Sequence, residues 1–270
     1  MADSLSWPRQ YLILQRAALR AQLQYRANFW TTLIGGMAFQ GTQLLFLGVL
    51  LAKFGVIAGW GFPEIAFLYA MRLASHALYV VPFGALIMAD FVVREGDFDR
   101  LLLRPVSPFL QLVTLQFRLM TLGDALLGVG ALIIFGWHAP IDWSAAKLIY
   151  LVVAVIGGSL VETGIQVFFC GLAFVANSTF SLRIFADSSI TQFSGYPLTM
   201  FGRGVFYGFC TAFPMAFIAF LPTTVLLDRT SEVPLPTWLT VASPLIGVAV
   251  FALGYLTFQK LLPHYSSPGN

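Results

Sequence analysis

Arg72, His76, Asp124 and Glu162 are ionisable side chains that stand inside long apolar runs of this sequence. An arginine or aspartate at the centre of a membrane-spanning helix costs about 2.5 to 3.5 kcal/mol, so such residues avoid lipid-facing positions. Arg72 and His76 are one helical turn apart and share a face. Two roles stay open. The group lines a polar substrate path or forms salt bridges across a subunit interface, or it pairs internally, for example Arg72 with Asp124 or Glu162.

Gln40 and Gln43 form a second polar group, close in sequence to Gly35, Gly36 and Gly41. A strip of small and polar residues lets two helix backbones approach and hydrogen-bond across their interface. We therefore interpret this strip chiefly as a helix contact. Lining of a polar path is the alternative.

Enzymatic chemistry is disfavoured by the motifs. The sequence has no HExxH metal helix and no GxSxG nucleophile turn, and its 3 histidines lie in separate segments. A phosphate-binding P-loop needs a glycine-rich turn that ends in Lys followed by Ser or Thr. Lys53, Lys147 and Lys260 are each followed by Phe or Leu. We predict no catalytic residue, no metal site and no cofactor on this chain.

The composition indicates that the chain folds in a lipid bilayer. The 270 residues are 58% hydrophobic and 10% charged, whereas soluble domains carry about a quarter charged residues. The 26 Phe suit lipid-facing helices with interfacial aromatic anchors. The net charge of +3 comes from scattered Lys and Arg, which disfavours nucleic acid as a partner. Cys170 and Cys210 lie in apolar runs and are expected to be buried free thiols.

Six stretches are long enough to cross a hydrocarbon core of about 30 Å at about 1.5 Å per residue. The predicted spans are Phe29–Ala52, Ile65–Ala89, Phe109–Trp137, Lys147–Ala176, Val205–Leu227 and Trp238–Leu261. Pro214 and Pro222 predict a kink or a break in the fifth span. The predicted fold class is all-α, a polytopic membrane protein with six transmembrane helices.

The Lys and Arg residues predict the orientation of these spans, because cytoplasmic loops carry the excess of positive charge. With the N-terminus inside, the outside keeps only Lys53, Lys147 and Arg229. The cytoplasmic side receives Arg9, Arg16, Arg20, Arg26, Arg94, Arg100, Arg104, Arg118, Arg183, Arg203 and Lys260. Both termini are therefore predicted to be cytoplasmic, with two long cytoplasmic connections at Asp90–Pro108 and Asn177–Gly204.

An amphipathic helix is predicted within residues 1–28, before the six-span domain of residues 29–262 and a cytoplasmic tail of residues 263–270. At about 100° per residue, its cationic and apolar side chains separate onto opposite faces. The cationic face is Arg9, Arg16 and Arg20, and the apolar face is Tyr11, Leu14, Ala18 and Tyr25. This pattern is typical of a helix at the membrane interface; a solvated helix on a soluble partner is the alternative.

Within the loop of residues 90–108, residues 94–108 predict a short cytoplasmic helix. The turn after Gly96 starts it, Asp97 caps it and Arg104-Pro105 ends it. Its apolar face suits a groove on another protein, and a helix resting on the membrane surface is the alternative. The residues of this predicted contact are Gly96, Asp97, Phe98, Asp99, Leu101, Leu102, Arg104 and Pro105.

At this segment the sequence resembles the integral-membrane subunits of bacterial ABC-type exporters, six-helix permeases whose first cytoplasmic loop reads Gly, apolar, Asp, Leu-Leu, Arg-Pro and Ser. The matching residues are Gly96, Phe98, Asp99, Leu102, Arg104, Pro105 and Ser107. Further matches are Tyr25-Arg26-Ala27-Asn28-Phe29, Tyr196-Pro197-Leu198 and Tyr265-Ser266-Ser267-Pro268-Gly269, where Pro268 replaces the usual small residue.

The resemblance implies a permease in the bacterial cytoplasmic (inner) membrane, paired with a second, homologous or identical permease. Each permease would bind, through its first cytoplasmic helix, an ABC ATPase subunit that carries ATP and Mg²⁺. The expected function is ATP-driven export. The alternative is a secondary transporter or channel subunit that uses Arg72, Asp124 and Glu162 as an ion relay, and the missing motifs make an intramembrane enzyme the least favoured class.

Overall fold

The computed structural model describes residues 6–24, 26–176 and 178–267, so the predictions made at Tyr25, Asn177, Pro268 and Gly269 lie outside the described residues. The described part is all-α and contains no β-strand. Its helices are α1 (Trp7–Leu23), α2 (Arg26–Phe54), α3 (Phe62–Phe83), α4 (Ala89–Arg94), α5 (Phe98–Leu102), α6 (Pro108–Val113), α7 (Met120–His138), α8 (Ala145–Leu172), α9 (Phe180–Phe193), α10 (Arg203–Thr211), α11 (Phe220–Leu226), α12 (Thr237–Val241) and α13 (Ser243–Leu261).

Five helical stretches are long and apolar enough to cross a membrane, and the bent pair α10–α11 raises the number to six if it is counted as one span. The five are Phe29–Phe54, Phe62–Arg94, Thr121–His138, Ala145–Leu172 and Ser243–His264. The all-α polytopic fold class is therefore confirmed.

Two opposite ends of the bundle are fixed by side-chain contacts. At the Asp90 end, defined by Asp90, Phe98 and Tyr265, the Asp90 carboxylate accepts a hydrogen bond of 2.7 Å from the Thr179 backbone N–H. At the Trp60 end, defined by Trp60, Lys147 and Arg229, the Lys147 ammonium lies 2.6 Å from the Asp228 carboxylate. Lys147 lies in the first turn of α8 and Asp228 follows α11, so these two helix ends meet at the Trp60 end.

The Trp60 end is closed by Arg229, which joins the loop before α3 to the loop after α11. Its guanidinium lies 3.2 Å from the Glu64 carboxylate and 2.9 Å from that of Glu232, and it donates to the Gly59 carbonyl. The same guanidinium lies over the Trp60 ring, 5.2 Å from its centroid. Arg229 is therefore a structural link at this end.

The predicted fifth span, Val205–Leu227, is wrong, although its predicted break is confirmed. The bent pair turns by 82° around Pro214. Its first helix starts at the Trp60 end, where the Tyr207 hydroxyl donates to the Pro234 carbonyl, and its second helix returns to that end beside Lys147. Pro222 lies in the first turn of α11, where no backbone donor is needed, so it does not interrupt the helix.

The chain passes from the Asp90 end to the Trp60 end through α9, which the hydropathy of the sequence missed. The helix begins next to Thr179, bound to Asp90, and the residues that follow it share a cavity wall with Glu232 at the Trp60 end. The predicted cytoplasmic connection Asn177–Gly204 is therefore wrong, because α9 within it runs from one end of the bundle to the other. Arg203, which follows α9, lies at the Trp60 end. The polar residues of α9 lower its mean hydropathy, so the hydropathy pattern assigned the fifth span to the next apolar stretch, Val205–Leu227.

The third and sixth predicted spans are shorter than predicted. α6 and α7 are separate helices, with a break at residues 114–119, and the Thr114 hydroxyl donates to the Leu110 carbonyl at the end of α6. Such side-chain bonds to the preceding turn compete with helix continuation. A second break separates α12 from α13 before Pro244. Both cysteines are free; Cys170 is buried as predicted, whereas Cys210 is half-buried.

A glycine seam joins α8 to α13, which run parallel. Gly157, Gly164 and Gly171 recur every seven residues on α8 and face the α13 backbone. A Cβ atom on Gly164 would lie 2.7 Å from the Phe251 backbone nitrogen, and Gly254 in turn packs on the Gly164 carbonyl. Because no side chain separates the two backbones, they pack at close range.

The amphipathic pattern of α1 is confirmed by its contacts. The Tyr11 hydroxyl donates to the Pro82 carbonyl at 3.0 Å, and the Gln15 amide donates to the carbonyls of Pro82 and Val113. The opposite face is exposed and carries Arg9, Arg16 and Arg20. The location of α1 at a membrane interface stays a prediction.

Candidate functional site

The short helix predicted between the second and third spans is present as α5. Gly96 precedes it at φ +78°, a left-handed conformation that favours glycine. The predicted cap by Asp97 is wrong: the backbone of Asp97 is itself helical, with φ −63° and ψ −17°, so its side chain makes no cap bond. The Asp97 carboxylate instead lies 3.2 Å from the Arg100 guanidinium.

Phe98 and Leu101 anchor α5 to the chain's own core, so the prediction that both face a partner is wrong. Phe98 is fully buried, with its ring centroid 5.0 Å from that of Phe174 and 4.9 Å from that of Tyr265. The Phe174 ring contacts the Phe258 ring of α13 at 5.2 Å. The helix is therefore fixed to the ends of α8 and α13.

The exposed end of α5 and the two residues after it form a surface that we call the knob. It consists of Arg100, Leu102, Leu103 and Arg104. Leu102 is 47% exposed, as its predicted role requires, and Leu103 is 86% exposed. Arg104 and Pro105 are exposed as well. An exposed leucine pair between arginines on an anchored helix can bind an apolar groove with an acidic rim.

Two buried polar side chains that sequence reasoning did not identify hold this region. The Gln111 amide of α6 donates to the Leu101 carbonyl at 2.9 Å and to the Val106 carbonyl at 2.8 Å. Asp90 accepts from both the backbone N–H and the hydroxyl of Thr179, each at 2.7 Å. Through Asp90 the segment that leads into the knob is bonded to the start of α9.

The tail after α13 covers the knob helix from the side. The Ser267 hydroxyl donates to the Asp99 carboxylate at 2.7 Å. Burial of the Tyr265 hydroxyl and the neighbouring Asp99 carboxylate raise the pKa of Tyr265 to about 12. Asp99, predicted as a contact residue, therefore binds the tail.

A polar cavity of about 190 Å³ lies within the membrane-spanning part, between α2, α3, α7 and α9. It brings together four of the predicted residues: Gln40, Arg72, His76 and Asp124. Arg72 is 1% exposed, and its Nη2 donates to the Thr191 hydroxyl at 3.1 Å. Three of the intramembrane ionisable residues identified in the sequence, Arg72, His76 and Asp124, therefore line one cavity.

His76 lines the cavity and pairs with Glu162, whereas the predicted pairing of Arg72 with Asp124 or Glu162 is wrong. The His76 Nδ1 lies 2.7 Å from a Glu162 carboxylate oxygen, which joins α3 to α8. Within the described ranges, neither Arg72 nor Asp124 has an oppositely charged side chain at ion-pair distance. Arg72 and Asp124 therefore line the same cavity without pairing with each other.

A second cavity of about 180 Å³ continues the first toward the Trp60 end, and the two share Gln40 and Thr191. Together they form what we call the α2–α9 groove. Gln43 lines the second cavity, and the Gln40 side chain accepts a hydrogen bond of 2.8 Å from the Tyr69 hydroxyl. The neighbouring Gly35 and Gly41 face open space, so these two glycines form no close helix contact in this chain.

Arg118, Asp187 and Thr191 line the first cavity and were not predicted as site residues. Arg118 lies just before α7, inside the span that the sequence extended to Phe109, and the other two lie on the unrecognised α9. The sequence feature that could have identified Asp187 and Thr191 is their spacing, because polar residues four apart lie on one face of a helix. No group of three or more potential metal-ligating side chains is found among the described residues.

The family comparison covers most of the chain. Residues 37–269 match the family model described as ABC-2 family transporter protein. No curated protein and no solved structure matches the chain.

Proposed function

Since this chain belongs to the ABC-2 family of transporter proteins, we propose that it is the transmembrane permease subunit of an ATP-driven exporter. The family describes a membrane component of a transporter. The finer statements, namely export, a separate ATPase subunit that carries ATP and Mg²⁺, and a second permease, are our proposal.

The observation that carries the proposal is the knob. Leu102 and Leu103 are exposed while Phe98, one turn back, is fully buried. A helix of five residues is unstable alone, and here the aromatic contacts to Phe174 and Tyr265 hold it in place. A rigid, exposed apolar contact is what a motor protein needs in order to transmit force.

Two connections can carry a displacement of the knob into the membrane. The first is the aromatic contact from Phe98 through Phe174 to Phe258 on α13. The second is the bond between Asp90 and Thr179, which leads into α9 and hence to the wall of the α2–α9 groove. ATP-driven closure of the paired ATPases would push the knob, and α9 would move along the groove.

The proposed assembly contains two permeases, identical or homologous, and two ATPase subunits in the bacterial cytoplasmic membrane. Both described ends of the chain lie at the Asp90 end, since α1 bonds to Pro82 and the tail bonds to Asp99. The Asp90 end carries most of the Lys and Arg, although Arg203, predicted at this end, lies at the Trp60 end. This bias supports a cytoplasmic location for both termini.

The test is purification of the tagged chain in mild detergent from the cells that make it, with the ATPase subunit that co-purifies identified by mass spectrometry. Leu103→Asp should lower the recovered ATPase at least about tenfold, because a buried hot-spot leucine contributes more than about 1.4 kcal/mol. Val56→Asp places the same charge in the loop between α2 and α3 at the Trp60 end, on a residue that is 60% exposed, and serves as the matched control for ATPase recovery. Equal ATPase recovery with wild type and Leu103→Asp would contradict the proposal.

The buried charges around Arg72 and Asp124 favour a second candidate, a secondary transporter or channel subunit with an ion relay. The two functions differ in what drives them. Transport by the purified chain alone under an ion gradient would support the relay, and transport only with ATPase and ATP would support the exporter.

A further inference from the structure

We propose that the cavity lined by Arg72 and Asp124 binds a zwitterionic group of the transported molecule, one that carries an anion and a cation a few bonds apart. This inference rests on the proposed function and names the chemistry of the cargo. It arises from an unusual arrangement, because the cavity holds buried charges of both signs that are not paired with each other.

The anion-binding side of the cavity is formed by Arg72 and Arg118. Arg72 is 1% exposed, its Nη2 is bonded to Thr191, and its Nε has no hydrogen-bond partner within the described part of the chain. A buried guanidinium that lacks a carboxylate partner is costly unless an anion completes it. Phosphate and carboxylate both fit the forked donors of arginine.

The cation-binding side is formed by Asp124. Asp124 is 7% exposed and its side chain hydrogen-bonds to Gln40, while Oδ1 has no hydrogen-bond partner among residues of the described ranges. Asp187 lines the same cavity and already accepts a bond of 3.3 Å from the Gln166 amide. A primary ammonium has three donors and matches two facing carboxylates.

The remaining ionisable pair does not compete for this ligand. His76 also lines the cavity, but its Nδ1 lies 2.7 Å from the Glu162 carboxylate and is thereby bonded internally. The cavity therefore presents two cations and two carboxylates to a guest. A guest with only one charge would leave the opposite set unpaired, whereas a zwitterion satisfies both.

The volume sets an upper size for the group that is recognised. About 190 Å³ holds a headgroup of several heavy atoms but no long chain. The neighbouring cavity, lined by Gln43 and Gln192, offers amide groups to hydroxyl or amide functions next to it. A phospholipid headgroup and a water-soluble zwitterion share this chemistry, so the test has an arm for each source.

The soluble arm measures binding to the purified full chain in detergent by calorimetry. The probes are glycerophosphoethanolamine, which carries both charges, glycerophosphoglycerol, which carries only the anion, and ethanolamine, which carries only the cation. The first should bind at least about tenfold more tightly than either of the others, since each unmatched charge loses a charge-assisted hydrogen bond. The lipid arm compares nanodiscs of phosphatidylethanolamine and phosphatidylglycerol by the lipid retained after delipidation.

Substitutions assign each charge to its side of the cavity. Arg72→Gln should weaken glycerophosphoethanolamine at least about tenfold, and Asp124→Asn should weaken it while leaving glycerophosphoglycerol unchanged or tighter. Arg118→Gln tests the anion side if Arg72→Gln does not fold, as judged by gel filtration. Arg203→Gln removes an exposed arginine at the Trp60 end and should change nothing.

Zwitterion preference in the soluble arm without selective retention of phosphatidylethanolamine assigns a water-soluble cargo. Retention of phosphatidylethanolamine over phosphatidylglycerol, with or without preference in the soluble arm, assigns a lipid; either result supports the inference. Equal binding of the three probes, no binding in both arms, or binding unaffected by all cavity substitutions would overturn it. These measurements need no ATPase. Failure of co-purification would therefore overturn the proposed function while the binding result stands on its own.

Discussion

The α8–α13 interface and the α2–α9 groove show two opposite ways of placing membrane helices side by side. Along α8–α13, Gly157, Gly164 and Gly171 let the backbones touch, and a single added Cβ would clash. Along α2–α9, polar side chains such as Gln40 and Thr191 line two cavities, and Gly41 faces open space. The first interface resists displacement, whereas the second has room to change.

The knob is connected to both. Aromatic contacts fix Phe98 to Phe174 and Phe258 at the rigid interface, while Asp90 bonds to Thr179 at the foot of α9. From this difference we propose a division of labour in which α8–α13 is the frame and α9 is the wall that moves.

The largest expected effect is that of Gly164→Leu in the rigid interface. The side chain would collide with the Phe251 backbone, where neither helix can yield without opening the seam. Overpacking costs about 1–3 kcal/mol and occasionally more, and the upper end is expected here because the clash is with backbone. The expected result is a large fall in the thermal unfolding temperature in detergent, or failure to accumulate in the membrane.

The matched control is Gly41→Leu on α2, where no atom lies within 4 Å of an added Cβ. Its unfolding temperature should stay close to that of the wild type. If both substitutions had the same effect, the contrast between the two interfaces would be wrong.

A smaller effect is expected from His76→Leu in the groove. Loss of the 2.7 Å contact leaves the buried Glu162 carboxylate without its His76 partner. An unsatisfied buried acceptor costs about 1–3 kcal/mol. Glu162→Gln, which can still bond to His76, should lose less stability in the same melting experiment; a greater loss would contradict the pairing.

Asp90→Ala tests the connection from the knob to α9. It removes both hydrogen bonds from Thr179, and a bond to a charged acceptor contributes about 1.5 kcal/mol. Amide hydrogen exchange should quicken at the start of α9 and stay unchanged in α13. In the assembled transporter, ATP hydrolysis should continue while transport falls. Unchanged exchange in α9 would remove this connection from the account.

The smallest effect is expected from Ser267→Ala in the tail. The lost bond to Asp99 is exposed, so the unfolding free energy should fall by only about 0.5 kcal/mol. Tyr265→Ala removes the ring that packs on Phe98 and should cost more, by the same melting measurement. An equal or larger effect of Ser267→Ala would show that the aromatic contact does not hold the knob.

The sequence predicted most of the fold because long apolar runs have few alternatives to spanning a bilayer. The predicted spans Phe29–Ala52 and Lys147–Ala176 lie close to the observed Phe29–Phe54 and Ala145–Leu172. The structure places Arg72, His76 and Asp124, which the sequence singled out, around one cavity. It missed α9 because the residues that line the groove make that helix polar. The apolar hairpin α10–α11 was instead predicted as the fifth span, since hydropathy cannot distinguish a crossing from a hairpin that returns to the same end.

The burial of α5 was missed for a related reason. Phe98 and Leu102 share a face at helical spacing, but only the tertiary contact with Phe174 and Tyr265 decides which apolar residue is covered. The glycine seam was readable as a seven-residue repeat of Gly157, Gly164 and Gly171. Its partner on α13 emerges only from the parallel packing of two distant segments.

The most direct test of the central claim measures both interfaces in the assembled transporter by double electron–electron resonance. After replacement of Cys170 and Cys210, one label pair joins exposed positions of the rigid interface, Val152 and Leu253, and the other joins Leu45 and Phe185 across the groove. ATP with vanadate should produce a new distance population for the groove pair and leave the rigid pair unchanged. A change confined to the Val152–Leu253 pair, or no change in either, would contradict the account.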